Sequence, residues 1–255
     1  MKAPALMMFV FLTLATTTFA QHADVRPYVE NGRILTAGFV DSTSTVLPNL
    51  RVFGYDFGED PGQPYFAQDP GFNASADSGL SSGSQLLFNI VGAGSLGLPA
   101  NLTYWNGVGD VAFTATPTDE SLTLNFGSQN RVAHNSTGHV AGFSLQTVGA
   151  SGTIHRHLNA FLNGAGGNPS AGIYLLSLEL ESTDPTIEKS LPFFLLYNNA
   201  LSEDDHDLAI EWVERNLVVP EPVCLLPVGI ACCAATLWLR RRPRESVGGA
   251  STDQN

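Results

Sequence analysis

Short segments rich in β-branched and aromatic residues recur along the middle of the chain, separated by Gly, Pro, Asn and Ser. Several of them alternate polar and apolar residues, as in Ser121 to Phe126, which is the period of a strand with one solvated face. This spacing favours an all-β domain, specifically an antiparallel β-sandwich of the jelly-roll kind. We predict strands at 33–40, 50–57, 84–91, 101–105, 110–116, 121–126, 139–148, 152–162, 172–181 and 193–198.

One amphipathic helix is predicted at the C-terminal end of this domain. Ser202 stands before Glu203, Asp204 and Asp205, so a capping hydroxyl and three acids coincide with the positive end of the helix dipole. We expect the helix to lie on the sheet through an apolar stripe that consists of Leu208, Ile210, Trp212, Val213 and Leu217.

The N-terminal end of the chain is typical of a secretory signal peptide. Lys2 precedes an apolar segment, and small residues follow from Ala15 to Ala20. We therefore predict a signal peptide at 1–20 and an exported domain at 21–218.

The C-terminal end predicts a single transmembrane helix at 223–239. An apolar stretch of this length is just enough to span a bilayer, and Arg240, Arg241 and Arg242 follow it directly. The positive-inside rule places the arginines in the cytoplasm. Residues 245–255 would then form a short polar cytoplasmic tail.

A proline-rich motif stands immediately before this span, in the order Val219, Pro220, Glu221, Pro222. The tail 219–244, after a signal peptide and a long exported region, resembles the PEP-CTERM proteins of Gram-negative bacteria, whose tails are recognised by an exosortase, a membrane transpeptidase. The resemblance implies a transient inner-membrane anchor, processing near the motif, and delivery to the cell surface or to extracellular polysaccharide. An ordinary single-pass membrane protein without a sortase step is the alternative.

Charge and cysteine content restrict the function of the exported domain. The whole chain has a net charge of −12, and residues 21–218 hold seven Lys or Arg against twenty-one Asp or Glu. Phosphate backbones would be repelled, which excludes nucleic acid as a partner. The cysteines, Cys224, Cys232 and Cys233, all lie in the tail, so the domain must fold without disulfides.

Two glycine-rich motifs lack the context that their chemistry needs. Residues 92–97 match the dinucleotide fingerprint, but Leu98 and Pro99 follow where a helix must begin. Residues 79–83 match the nucleophile elbow, but they lead into a predicted strand. We therefore predict a non-enzymatic structural or binding module.

The histidines give the alternative function, a surface or periplasmic protein that binds zinc or copper. His155 and His157 would project from one face of a strand. If the strands 139–148 and 152–162 form a hairpin with a three-residue loop, His139 shares that face, whereas a two-residue loop places it on the other. A hydrolase with a metal-activated water is a further alternative and needs a neighbouring carboxylate. His22, His134 and His206 are candidates that sequence does not place.

A set of acids lies in and beside a long loop that is rich in Pro and Gly, predicted at 58–82. It consists of Asp56, Glu59, Asp60 and Asp69. Such oxygen-rich loops can hold calcium, but the spacing is not that of an EF-hand. A solvated loop is the simpler interpretation.

Overall fold

The computed structural model describes residues 23–218. The chain divides into two units after Val218, and all described residues belong to the first unit. The predicted signal peptide, sorting motif and transmembrane segment lie outside the described residues. Between residues 23 and 218, no helix combines the length and apolar character needed to cross a membrane.

The described residues form mainly β-strands with one α-helix, so the all-β class is confirmed. The helix is α1 (Glu203–Asn216), near the C-terminal end of this range. The strands, in chain order, are β1 (Asp24–Glu30), β2 (Arg33–Val40), β3 (Thr45–Leu47), β4 (Val52–Asp56), β5 (Phe66–Ala67), β6 (Gly71–Ala74), β7 (Gln85–Ile90), β8 (Leu102–Trp105), β9 (Thr114–Ala115), β10 (Ser121–Phe126), β11 (Gln129–Ala133), β12 (Val140–Thr147), β13 (Ile154–His157), β14 (Asn159–Asn163), β15 (Gly172–Ser182) and β16 (Phe193–Asn199).

Over the described range the strands form three sheets. The first has the order β13-β6-β1-β2-β3, and the second has the order β11-β10-β14-β5. The third, which we call the central sheet, has the order β12-β7-β15-β16-β4, and β8 with β9 is attached along the first half of β15. Two pairs, β1 with β6 and β4 with β16, are parallel, so the expectation of a purely antiparallel arrangement is wrong there. The long connections between these partners permit the parallel direction.

The middle of the central sheet is buried on both faces. Every residue of β16 is buried, and β15 is exposed only at Glu181. On one face, Tyr174 and Leu176 join a buried cluster that draws residues from all three sheets. On the other face, Ile173 and Leu175 belong to a second buried cluster, which also contains Ala209, Ile210 and Val213 of α1. Two hydrophobic clusters therefore lie on opposite sides of one sheet.

The start of α1 agrees with the sequence prediction, but its buried face differs. Ser202 is the N-cap, and its hydroxyl accepts a hydrogen bond from the backbone N–H of Asp205 at 3.2 Å. The buried positions are His206, Ala209, Ile210 and Val213, at the i, i+3, i+4 and i+7 spacing of one helical face. Leu208 is 52% exposed, so its place in the predicted stripe is wrong.

The hairpin predicted between 139–148 and 152–162 is not formed. β12 pairs with β7 in the central sheet, and β13 pairs with β6 in the first sheet. The predicted strand 152–162 also divides at Leu158, and its second half, β14, belongs to the second sheet. Ile154, Leu158 and Ala160 are all buried, so the alternation of side chains resumes across the break while the pairing partner changes. Periodicity alone does not reveal such a change of sheet.

Replacement of Ser202 by alanine removes the cap of α1, because the N–H of Asp205 then loses its side-chain acceptor. We expect the free energy of unfolding to fall by about 1 kcal/mol. Denaturant unfolding of the mature protein measures this, with Ser128→Ala, in the exposed turn between β10 and β11, as the control. The control should change stability by less than about 0.5 kcal/mol. Equal losses in the two variants would contradict a capping role.

Candidate cation site

Asp24, Gly71 and His157 lie side by side across three neighbouring strands. β13 pairs with β6 so that His157 is opposite Gly71. On the other side of β6, the parallel pair of Val25 with Phe72 brings Asp24 next to Gly71. Because cross-strand neighbours share a face of the sheet, the side chains of Asp24 and His157 flank a position that has no side chain.

Gly71 makes this approach possible. A Cβ atom at this position would overlap the carboxylate of Asp24 and lie 2.7 Å from Cε1 of His157. With glycine there, Nε2 of His157 lies 3.9 Å from Oδ1 of Asp24. A carboxylate and an imidazole therefore meet above the middle strand.

The second nitrogen of His157 fixes the orientation of the ring. Nδ1 lies 3.1 Å from the carbonyl oxygen of Gln68. Because a carbonyl oxygen only accepts hydrogen bonds, Nδ1 carries the proton and donates the hydrogen bond. In the neutral imidazole, Nε2 then presents its lone pair on the side of Asp24. A histidine that binds a metal is commonly held by a backbone carbonyl in this way.

Asp69 adds a second carboxylate to the group. One possible ligand atom from each of Asp24, Asp69 and His157 lies within 4.8 Å of the other two. Ligand atoms around a tetrahedral zinc ion are about 3.4 Å apart, given metal–ligand distances of about 2.1 Å. All three side chains are half-buried, and small rotations toward a common centre would bring three ligand atoms to this separation, with the fourth position of a tetrahedral ion left open.

Two buried tyrosines hold the backbone beneath the carboxylates. The hydroxyl of Tyr197 donates to the carbonyl of Asp69 at 3.0 Å, and that of Tyr55 donates to the carbonyl of Ala23 at 3.1 Å. Burial, and next the charge of Asp69, raises the pKa of both phenols well above its usual value. Both hydroxyls therefore remain donors at neutral pH, and they position the chain at Asp24 and Asp69.

A cavity of about 250 Å³ opens beside His157 and Asp69. Glu59 and Asp60 also line it, so three of the four acids singled out in the sequence lie together here. The fourth, Asp56, lies 3.7 Å from Nδ1 of His206, in a different group. Such a concentration of carboxylates around one imidazole attracts cations.

The structure brings His155 close to His157 but places His139 elsewhere. The ring centroids of His155 and His157 are 5.3 Å apart, with His155 at the exposed edge of the site. His139 lies 3.7 Å from Glu179, beside Lys189, in a separate depression. The physical reason is that β12, which begins after His139, pairs with β7 and not with β13. His139 is therefore not part of the site.

Arg156 is turned away from the two histidines that flank it. Its guanidinium carbon lies 4.0 Å from the centre of the Phe126 ring, and Nε donates to the carbonyl of Leu145 at 3.1 Å. Alternation along β13 explains this, because Arg156 occupies the opposite face. Its positive charge consequently does not compete with a cation for the carboxylates.

The glycine-rich segment at 92–97 shows no dinucleotide-binding geometry. It forms a short 3₁₀ helix, Ala93–Leu96, that ends at Gly97 in the left-handed conformation. The strand β8 follows after Asn101, so no α-helix N-terminus is available at this position for a pyrophosphate.

No protein-family model matches the sequence, and a comparison with curated proteins finds no match. The resemblance to PEP-CTERM proteins concerns residues 219–244 alone. The function of residues 23–218 is therefore inferred from their own geometry.

Replacement of Gly71 by alanine should push Asp24 and His157 apart, because the new Cβ occupies the space in which they meet. We expect a loss of about 1–3 kcal/mol in the free energy of unfolding, as for other overpacked positions, together with a changed imidazole NMR signal for His157. Gly138→Ala is the control, since a Cβ there meets nothing within 4 Å. An unchanged His157 signal in Gly71→Ala would contradict the close approach.

Proposed function

We propose that this chain is an exported, non-enzymatic binding module of the cell envelope that holds a divalent transition-metal ion through Asp24, Asp69 and His157. The observation that carries the proposal is the meeting of an oriented imidazole and two carboxylates above Gly71. Mixed nitrogen and oxygen ligands suit zinc or copper, whereas calcium takes oxygen ligands alone. The ion therefore belongs to the zinc and copper class.

The proposed ligand set includes Asp24 and Asp69 in place of His139 and His155. Together with Glu59 and Asp60, the site carries more negative charge than one divalent ion neutralises. An additional ligand from solvent can occupy the cavity beside the ion. Catalytic zinc sites keep such an open position, so the hydrolase with a metal-activated water is the second candidate function.

The proposed location rests on the two ends of the sequence. A signal peptide at 1–20 and a sorting tail at 219–244 would first anchor the chain in the inner membrane. An exosortase-like transpeptidase would then release it to the cell surface or to extracellular polysaccharide. The acidic character of the domain suits a soluble protein in a polar matrix.

For the fold, we propose a sandwich of the jelly-roll kind, with the central sheet as one layer and the other two sheets as the second. The support is the buried cluster that draws residues from all three sheets. A transmembrane helix at 223–239 would follow α1. The cation site then lies on the layer that contains β1, β6 and β13.

The test of cation binding is zinc titration of the mature protein purified from its own cells. Asp69→Asn, and the double variant His155→Ala with His157→Ala, should weaken binding at this site about tenfold or more, because each removes a ligand. Isothermal titration and metal analysis measure the loss. Calcium in place of zinc should bind more weakly, since it makes little use of an imidazole.

His134→Ala is the matched control for these variants. It removes an exposed imidazole that lies outside the group of ligands, so zinc affinity should be that of the unaltered protein. If the double variant and His134→Ala retain the same zinc affinity and content, the proposed cation function is wrong.

The sorting proposal has a separate test. Changing Glu221 and Pro222 both to alanine should leave export intact and block processing, because the signal peptide remains and the recognition motif is lost. Gel migration and the mass of the mature protein measure this. Identical mature forms with and without the change would support the single-pass alternative.

A further inference from the structure

A second group of possible ligands lies where α1 begins, on the helix-covered face of the central sheet. It consists of Asp56 at the end of β4, Glu203 at the start of α1, and His206 one turn later. One possible ligand atom from each lies within 4.8 Å of the other two. It shares no residue with the site of Asp24, Asp69 and His157.

Gly54 creates the space for this group. Val52, Gly54 and Asp56 alternate along β4, and Val52 belongs to the cluster under α1. A Cβ at Gly54 would lie 3.1 Å from Nε2 of His206 and 2.8 Å from Cδ1 of Ile210. The imidazole therefore lies directly on the strand, beside the carboxylate of Asp56.

His206 is 1% exposed and has one nitrogen that is not satisfied. Nε2 lies 3.3 Å from the carbonyl oxygen of Leu196, so Nε2 carries the proton and donates it. Nδ1 is buried and has no hydrogen-bond partner among residues 23–218. Its lone pair faces Oδ1 of Asp56 at 3.7 Å.

The buried lone pair of Nδ1 of His206 needs a proton or a cation to satisfy it. A proton on Nδ1 is one solution, but it leaves the carboxylate of Glu203, which also offers a ligand atom within 4.8 Å of the other two, without a role in the group. A metal ion is the other solution, and it uses the neutral imidazole and the carboxylates as they stand. An unsatisfied buried nitrogen is otherwise costly.

We propose that Asp56, Glu203 and His206 bind a second divalent ion of the zinc class, which joins α1 to β4. The positive end of the helix dipole disfavours a cation at this point. The three acids in the first turn of α1 and the carboxylate of Asp56 offset that effect. The ion has a structural role and is independent of the function proposed for the first site.

Zinc-dependent thermal unfolding of the mature protein tests this second site. The double variant that lacks His155 and His157 is the background, so that the first site does not contribute. Added zinc should raise the midpoint by about 5 °C or more. Glu203→Gln should lose most of this rise, because it removes a ligand from an exposed position without disturbing the core.

Asp204→Asn is the matched control, since it makes the same charge change in the same turn of α1, at an exposed residue outside the group. It should keep the full zinc-dependent rise. Metal analysis of the same background should find one zinc ion per chain, which Glu203→Gln removes and Asp204→Asn retains.

The imidazole NMR signals of His206 give a direct readout. Zinc should shift Nδ1 and leave Nε2 protonated. An unmoved Nδ1 signal, or equal zinc responses in Glu203→Gln and Asp204→Asn, would overturn the second site. If only the proposal for the first site is wrong, the protein will contain the same amount of zinc with and without His155 and His157.

Discussion

The burial of β15 and β16 on both faces is the constraint on which the rest of the structure depends. A sheet whose two faces are both apolar must be covered on both sides. Residues of the first and second sheets share a buried cluster with one face, and residues of α1 share another cluster with the opposite face. The removal of apolar surface from water, at about 25 cal/mol per Å², is the main driving force for folding. No cysteine lies between residues 23 and 218, so no disulfide stabilises this part of the chain. α1 is therefore an integral layer, because it packs on β4 and β16 and shares a buried cluster with Val52, Phe194 and Leu196.

Both candidate sites depend on a glycine within a strand. In each, this glycine leaves open a space that a histidine enters: His157 meets Asp24 above Gly71, and His206 lies with Ile210 on Gly54. Glycine weakens a strand, since it adds conformational entropy to the unfolded chain and packs no side chain. At Gly71 and Gly54, however, the absence of a side chain lets polar groups approach the strand closely. Each imidazole is also oriented by a backbone carbonyl, which leaves its other nitrogen directed at the carboxylate.

Local signals predicted much of the fold. The alternation of Ser121–Phe126 predicts β10, and Ser202 with the acids after it predicts the N-cap of α1. Both patterns depend only on residues that are near neighbours in the chain. β1 was missed because Pro27 lowers its β tendency, and β11 because it begins with polar residues. The failed hairpin between β12 and β13 shows that adjacent strands in the chain need not pair. For the same reason His157 could be singled out but Asp24 could not, because only the order β13-β6-β1 brings them together.

The two groups differ in solvent access, and this determines what an ion could do in each. The side chain of His157 is 34% exposed and borders a cavity, so an ion there could exchange and bind a further ligand. His206 is 1% exposed, so an ion beside it would be held by protein groups on its buried side and would exchange slowly. Both ions would also reduce the repulsion within a domain that has three acids for every base.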